Sequence, residues 1–517
     1  MSGARSIGPV STLAARFRLS RTSSNLLANY VGAGWTVLMA VVFVPVYIRF
    51  LGIEAYGLIG FFTAVEAALR VLDLGITPTV NRELARHPAN AEGSDRIRDL
   101  VRSFEIIYWA VGIGLGVILA LASPVIAANW LQAGRLPLRV VSGAIAVMGV
   151  VIALEWPVRY YQGGLMGLQR QAHLNGINIL ASSVRYAGAA VVLWRVSRSI
   201  TAFFVWEAIA ALGQVLLLHV LLWRSLPESH RVPRFSLKRI RSVWRFAAGM
   251  SAIAATALIL TQLDKLILSR IVSLEVFGYY ALAVSVARGL GMLAFPFFQA
   301  LYPRFSELVA LGDRRSLATL YHRGTQFLSV LLVPAGAVLA VFAVEVIRLW
   351  TGDAHTASVV GPIVSILVIG TVLNGLMHLP YALQLAHGWT TIGAMTNLVL
   401  VVAMVPAVIV FSQRYGALGA AAVWALLNLA YLAIGVPLTH RRLLTGEAKR
   451  WLVVDVGTPL AASMLVVVVT RTAIPGIPSP SGTALLLGAV SVMTLVAAWL
   501  ATPGPRRWAL GRLGVAQ

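Results

Sequence analysis

Fourteen long apolar stretches follow one another through this 517-residue chain, and the Lys and Arg between them gather in every second gap. Each stretch is about 20 residues, enough for a helix to cross a hydrocarbon core of roughly 30 Å. The stretches fall near 25–48, 56–77, 103–129, 139–160, 173–194, 201–223, 246–269, 277–301, 325–350, 359–382, 391–411, 417–437, 453–470 and 482–501. The pattern predicts an all-α integral membrane protein of about fourteen transmembrane helices.

The basic residues orient it. Of the 42 Lys and Arg, twenty-nine lie in the N-terminal segment (Arg5, Arg16, Arg18, Arg21), in alternate gaps such as those from Arg82 to Arg102 and from Arg224 to Arg245, and in the tail (Arg506, Arg507, Arg512). The opposite set of gaps holds eight: Arg49, Arg135, Arg139, Arg195, Arg198, Arg270, Arg414 and Arg471. Arg70, Arg185, Lys265, Arg288 and Arg348 fall within stretches. Such a bias is the positive-inside signature and predicts both termini in the cytoplasm. The net charge of +23 then reflects topology, not nucleic-acid binding.

Composition closes other routes. Without cysteine there is no disulfide and no thiolate metal site, and the scattered histidines have no ligand spacing, so no metal or cofactor is expected. The loops, at most about 25 residues, are too short to fold a catalytic domain. The chain does not read as an enzyme. Residues 1–24 read as a basic cytoplasmic tail.

An internal repeat organises the stretches. Leu51-Gly52-Ile53-Glu54-Ala55-Tyr56-Gly57 and Val272-Ser273-Leu274-Glu275-Val276-Phe277-Gly278 align at an offset of 221 residues, each opening an inward-running stretch that leads to a Pro and an Arg (Pro78 and Arg82; Pro303 and Arg304). Six stretches fit the offset, and an even number preserves direction, so the halves should be parallel repeats. The expected layout is a six-helix lobe over 25–223, a basic linker over 224–245, a second six-helix lobe over 246–437, and two further helices with a tail over 438–517.

Polar residues inside the stretches mark a pathway, because a charge at the bilayer centre costs about 3 kcal/mol on insertion scales. Thr63, Glu66, Arg70, Asp73 and Thr77 are spaced to share one helix face. Asn175, Asn178, Ser182 and Arg185 make a second stripe, and Glu155 and Arg159, Asp264 and Lys265, Arg288, and Asn374 and His378 lie on other stretches. Stripes in both halves imply a hydrated cavity between them. Arg185 and Arg288 have no carboxylate three or four positions away on their own stretch, which makes them the foremost candidates for an anionic ligand. Arg70, Arg159 and Lys265 rank second, with Asn178 and Asn374 as polar contributors. Glu345 and Arg348 read as an interfacial pair.

Asp264-Lys265-Leu266-Ile267-Leu268, Phe277-Gly278-Tyr279-Tyr280-Ala281-Leu282-Ala283 and Pro303-Arg304-Phe305-Ser306-Glu307-Leu308 resemble the second-half signature of Wzx-type oligosaccharide flippases. Pro45-Val46-Tyr47-Ile48-Arg49-Phe50-Leu51-Gly52, Tyr56-Gly57, Asp73-Leu74-Gly75 and Asn81-Arg82-Glu83 resemble the opening of the same family, and the resemblance covers about residues 25–440. It implies membership of the multidrug, oligosaccharidyl-lipid and polysaccharide exporter superfamily, with two six-helix lobes and alternating access. The implied substrate is a polyprenyl-pyrophosphate-linked oligosaccharide bound for the cell surface, with membrane lipids and the polysaccharide polymerase machinery as further partners. Arg and Lys suit the pyrophosphate and Asn the sugar hydroxyls. For two negative charges moving outward, a potential of about 100 mV supplies roughly 4–5 kcal/mol. Asp73, Asp264 and Glu66 are candidates for a coupling cation. A cation-coupled multidrug antiporter of the same superfamily is the alternative.

Overall fold

The computed structural model describes residues 21–73, 75–86, 91–229, 231–237, 262–474 and 479–512. Among them the regular structure is helical, and the one extended pairing is an isolated bridge from Gln132 to Ser273. The helices are α1 (Arg21–Leu51), α2 (Ile53–Leu69), α3 (Ile76–Ala85), α4 (Ala91–Asn129), α5 (Leu138–Gly167), α6 (Gln171–Arg195), α7 (Ile200–Ser225), α8 (Leu274–Gly291), α9 (Phe295–Leu311), α10 (Arg314–Val341), α11 (Ala343–Thr351), α12 (Ala354–Leu376), α13 (His378–Ala386), α14 (Thr390–Arg442), α15 (Thr458–Ala473), α16 (Pro480–Ala501) and α17 (Pro503–Arg512). A π-helical turn, Trp451–Gly457, leads into α15. Eleven of the described helical segments are long and apolar enough to cross a membrane. Most of the seventh stretch, near 246–269, lies outside the described residues, as do residues 1–20 of the basic tail.

Local chemistry sets many helix starts. Ser199, Ser273, Asp313, Asp353 and Ser479 each stand at an N-cap and accept an amide of the first turn. Ser316 donates through side chain and backbone to Asp313, holding that carboxyl below the usual carboxylate range.

Several stretches that read as single helices are broken. α2 stops at Leu69, Arg70–Asp73 forms a 3-10 turn, and Gly75 takes a left-handed φ of 66° before α3. The polar stripe on this stretch is therefore not one helix face. Thr63 and Glu66 stand on α2, Arg70 and Asp73 on the turn, and Thr77 on α3. The eighth stretch breaks in the same register, between Gly291 and Phe295, with Pro296 in the first turn of α9. Shifting Leu69 by the repeat offset of 221 residues lands on Leu290, so the two copies share their interruption as well as their sequence. The ninth stretch divides at Phe342 and the tenth at Met377. The eleventh and twelfth form one helical run, α14, interrupted at Gly416, whose φ of 57° and ψ of −134° are non-helical.

The chain resolves into two compact units. The first comprises Met1–Leu51, Leu69–Ala127 and Pro137–Ala254; the second comprises Gly52–Ala68, Ala128–Leu136 and Ala255–Gln517. In the first, α3, α4, α5 and α7 bury Val101, Phe104, Tyr108, Tyr160, Tyr161, Leu165, Leu218 and Leu222. In the second, α10 packs on α15 and α16 through Val338, Val467, Leu487 and Val490, which ties the C-terminal helices to the body of that unit.

The second unit also contains the repeat motif twice, on α2 and α8, and the copies touch. A Cβ built on Gly57 would lie 2.4 Å from the carbonyl oxygen of Leu274, and one on Gly278 would lie 2.2 Å from that of Ile53. Ile53 and Leu274 are themselves related by the repeat offset, so the crossing is symmetric. Segment 128–136 is fastened beside it. Glu54 accepts the amides of Gly134 at 2.6 Å and Arg135 at 3.0 Å, and Leu274 N–H donates to Gln132 O at 2.9 Å.

Candidate functional site

In the first unit, Arg185 on α6 is neutralised by two carboxylates from neighbouring helices: Glu155 of α5 at 2.5 Å and Glu207 of α7 at 3.2 Å. Helical spacing sees only partners on the same helix, and these stand on others. The triad joins three helices through one guanidinium, two of whose nitrogens face its carboxylates. Asn178 sits in the same three-helix neighbourhood, accepting from Gln162 Nε2 at 3.2 Å and Gln214 Nε2 at 3.4 Å.

Asp73 is a half-buried acceptor for the hydroxyls of Thr77, at 2.7 Å, and Tyr108. Arg70 is exposed and Arg159 half-buried. Glu105 is a buried carboxylate with four partners among the described residues. It accepts from Arg102 at 2.7 Å, Tyr161 at 2.7 Å, His219 at 2.8 Å and Trp223 at 3.0 Å. These partners stand on α4, α5 and α7, so Glu105 links the three helices. Asp99 does the same for the linker, accepting from the Arg231 side chain and from Arg234 N–H at 2.8 Å.

In the second unit, Asp264 is buried and meets Lys265 Nζ at 3.1 Å and the Tyr280 hydroxyl at 2.9 Å. Lys265 therefore has a carboxylate beside it. Asn374 donates to Asn428 Oδ1 at 2.8 Å. Glu345 pairs with Arg471 of α15 rather than with Arg348, which correctly belongs to an exposed position on α11. His322, on α10, is buried with Asp455 on one ring nitrogen and Glu447 on the other at 3.0 Å. Partners more than a hundred residues away along the chain left no sequence signal for this cluster. Gln326 extends it, donating to Asp455 at 2.7 Å and accepting from Gly504 N–H at 2.7 Å, so α10 is tied to the π-helical turn and to α17.

Arg288 stands apart from these paired groups. It lies in the last turn of α8, within a membrane-crossing segment, and its side chain is exposed. Among the described residues no carboxylate pairs with it. An exposed guanidinium at such a position is costly against lipid, so it needs a wet surface or an anion. Glu66 is half-buried on α2, in the second unit, whereas Arg70 and Asp73 belong to the first. No group of three or more metal-ligating side chains occurs among the described residues.

The sequence profile of a family described as "Polysaccharide biosynthesis protein" matches residues 23–309, more than half of the chain. A Shigella flexneri protein described as "Putative O-antigen transporter" is 20% identical over 402 residues, which span 78% of this chain and 94% of that protein. Among solved structures, a lipid II flippase MurJ in an inward closed conformation superposes with a TM-score of 0.69 at 12% identity, covering 95% of this chain and 99% of its own. An inward-facing multidrug resistance MATE family transporter gives a TM-score of 0.60 at 14% identity, with coverages of 80% and 95%. At these identities the two structures establish the fold alone, and the neighbours are transporters rather than enzymes.

Proposed function

This chain belongs to the polysaccharide biosynthesis protein family, and from that premise we propose that it is a flippase carrying polyprenyl-pyrophosphate-linked oligosaccharide outward across the inner membrane for surface polysaccharide synthesis. The observation that carries the reading is the exposed Arg288 within a membrane-crossing segment, a cationic position suited to a pyrophosphate that lipid alone would not pass. Arg70, Arg159 and Lys265 are secondary cationic contributors, with Asn178 and Asn374 as polar ones. Arg185 moves to a supporting role, since its two carboxylates compete with any phosphate. Alternating access would take the head group across while the polyprenyl tail stays in the bilayer, with the membrane potential as one drive and Asp73, Asp264 or Glu66 as coupling-ion positions. The family description, the O-antigen relative and the MurJ-like fold all support this assignment.

Deleting the gene is the direct test. Lipid-linked oligosaccharide should accumulate facing the cytoplasm and surface polysaccharide should fall. Normal surface glycan in a strain without a paralogue would end the proposal.

The same reading includes fourteen crossings with both termini inside. Support comes from the break of α14 at Gly416, where the helix divides into two parts each able to be a span, from α2, which at 17 residues is followed by its 3-10 turn and α3, and from the apolar run near 246–269. Reporter fusions after Arg135, Arg198 and Arg471 should report the outside, and fusions after Arg96, Lys238 and Arg442 the inside. One reversed pair would break the parallel repeat.

A further inference from the structure

A platform of aromatic rings stands on α9 and α13 of the second unit, which also holds Arg288 on α8. Phe298, on α9, is the centre of four nearly parallel rings. Phe295 lies 6.4 Å away at 11°, Tyr302 5.7 Å away at 6°, and Tyr381 of α13 6.1 Å away at 17°. The His378 ring meets Phe298 edge-on at 6.5 Å. Positions 295, 298 and 302 follow helical spacing on α9, so these three rings share one face, and Arg288 precedes the first of them by seven residues, across the α8–α9 break.

Three features argue that this face meets a polar ligand instead of lipid or another helix. Phe295 is 52% exposed, and Phe298, Tyr302 and Tyr381 are only half-buried, so the rings are not sealed in a core. The hydroxyls of Tyr302 and Tyr381 have no hydrogen-bond partner among the described residues, which leaves both phenols available to the hydroxyls of a ligand. Gln299, next to Phe298, is also exposed on α9, adding an amide to the same surroundings. Flat apolar faces rimmed with hydroxyl and amide groups match a pyranose, which presents C–H bonds on its faces and hydroxyls around its edge.

We propose that Phe295, Phe298, Tyr302 and Tyr381 form a glycan-stacking subsite that receives the sugar rings of a lipid-linked oligosaccharide whose pyrophosphate lies on Arg288. The inference rests on the flippase reading and adds where the glycan, as distinct from its phosphates, is recognised. Stacking reads the ring and not the identity of each sugar, so the subsite would accept related glycans while rejecting a bare phosphate.

The test uses the full-length protein in detergent or nanodiscs and three probes: farnesyl pyrophosphate, farnesyl-pyrophosphoryl-N-acetylglucosamine, and farnesol. Calorimetric titration compares the parent with Phe298→Leu, Tyr302→Leu, Tyr381→Leu, Tyr381→Phe and Arg288→Ala, each checked by thermal melting. Loss of one stacked ring should weaken the glycosylated probe by about fivefold and leave farnesyl pyrophosphate unchanged. Tyr381→Phe, which keeps the ring, should retain most of the affinity that Tyr381→Leu loses. Arg288→Ala should weaken both pyrophosphates. Equal weakening of both pyrophosphates by the aromatic variants would mean that the rings only support Arg288, and no weakening of either would mean that they touch no sugar. Weakened farnesol binding would make the face a groove for the tail. Each of these three overturns the subsite while leaving the flippase reading standing. If the parent bound neither pyrophosphate, the head-group reading would fall and the subsite with it.

Discussion

Arg288→Ala should abolish flipping of labelled lipid-linked glycan in cells or vesicles, and Arg288→Lys should already impair it strongly. A guanidinium offers a phosphate two parallel charge-assisted hydrogen bonds in a fixed plane, whereas an ammonium is a point charge that cannot copy that geometry. Losing hydrogen bonds to a charged partner costs about 1.5–3 kcal/mol, or roughly 10- to 150-fold in affinity. Arg139→Gln, at an exposed position on α5, is the control and should change little. Arg185→Ala supplies the contrast. It would strand Glu155 and Glu207 without their shared cation, and breaking a buried ion pair typically costs about 3–5 kcal/mol, so this variant should lose folded protein first. If Arg288→Ala folds and transports at the parental rate, the head group is held elsewhere. If Arg185→Ala melts like the parent, the triad is not what holds α5, α6 and α7 together.

The second large effect is expected at the crossing of α2 and α8. Gly57→Ala and Gly278→Ala each place a methyl 2.4 Å or less from a backbone carbonyl oxygen, closer than any side chain can sit. Backbone cannot rotate aside as a side chain tip does, so the helices must separate. Overpacking of this kind costs about 1–3 kcal/mol, and here it falls at a contact that also positions Glu54 and segment 128–136. Thermal melts followed by size-exclusion should show each variant clearly destabilised, and the double variant less so than the sum, because one methyl already opens the space that the second needs. Gly143→Ala in α5 meets nothing within 4 Å and is the matched control. Parental melting of both single variants would mean that the helices are not held this close.

The sequence by itself determined the class of the protein, its many membrane crossings and the repeat. Those depend on quantities that sum along the chain: the transfer of about 20 consecutive side chains into lipid, and the bias of basic residues between alternate gaps. Helix starts rest on chemistry as local, since a cap such as Ser273 or Asp353 bonds an amide only two or three residues away. Arg288 lacks a carboxylate three or four positions away on its own helix and a carboxylate partner among the described residues alike. Arg185 lacks one on its own helix yet meets two on other helices. What separates the two residues is the rotation and packing of α5, α6 and α7, which place Glu155 and Glu207 against one guanidinium and which no spacing on α6 encodes. The breaks at Gly75 and after Gly291, the pairing of Glu345 with Arg471, and the enclosure of His322 by Asp455 and Glu447 were likewise decided by tertiary structure. Each depends on how one helix is turned toward another, and a periodic pattern fixes the faces of a helix without fixing which neighbour a face will meet.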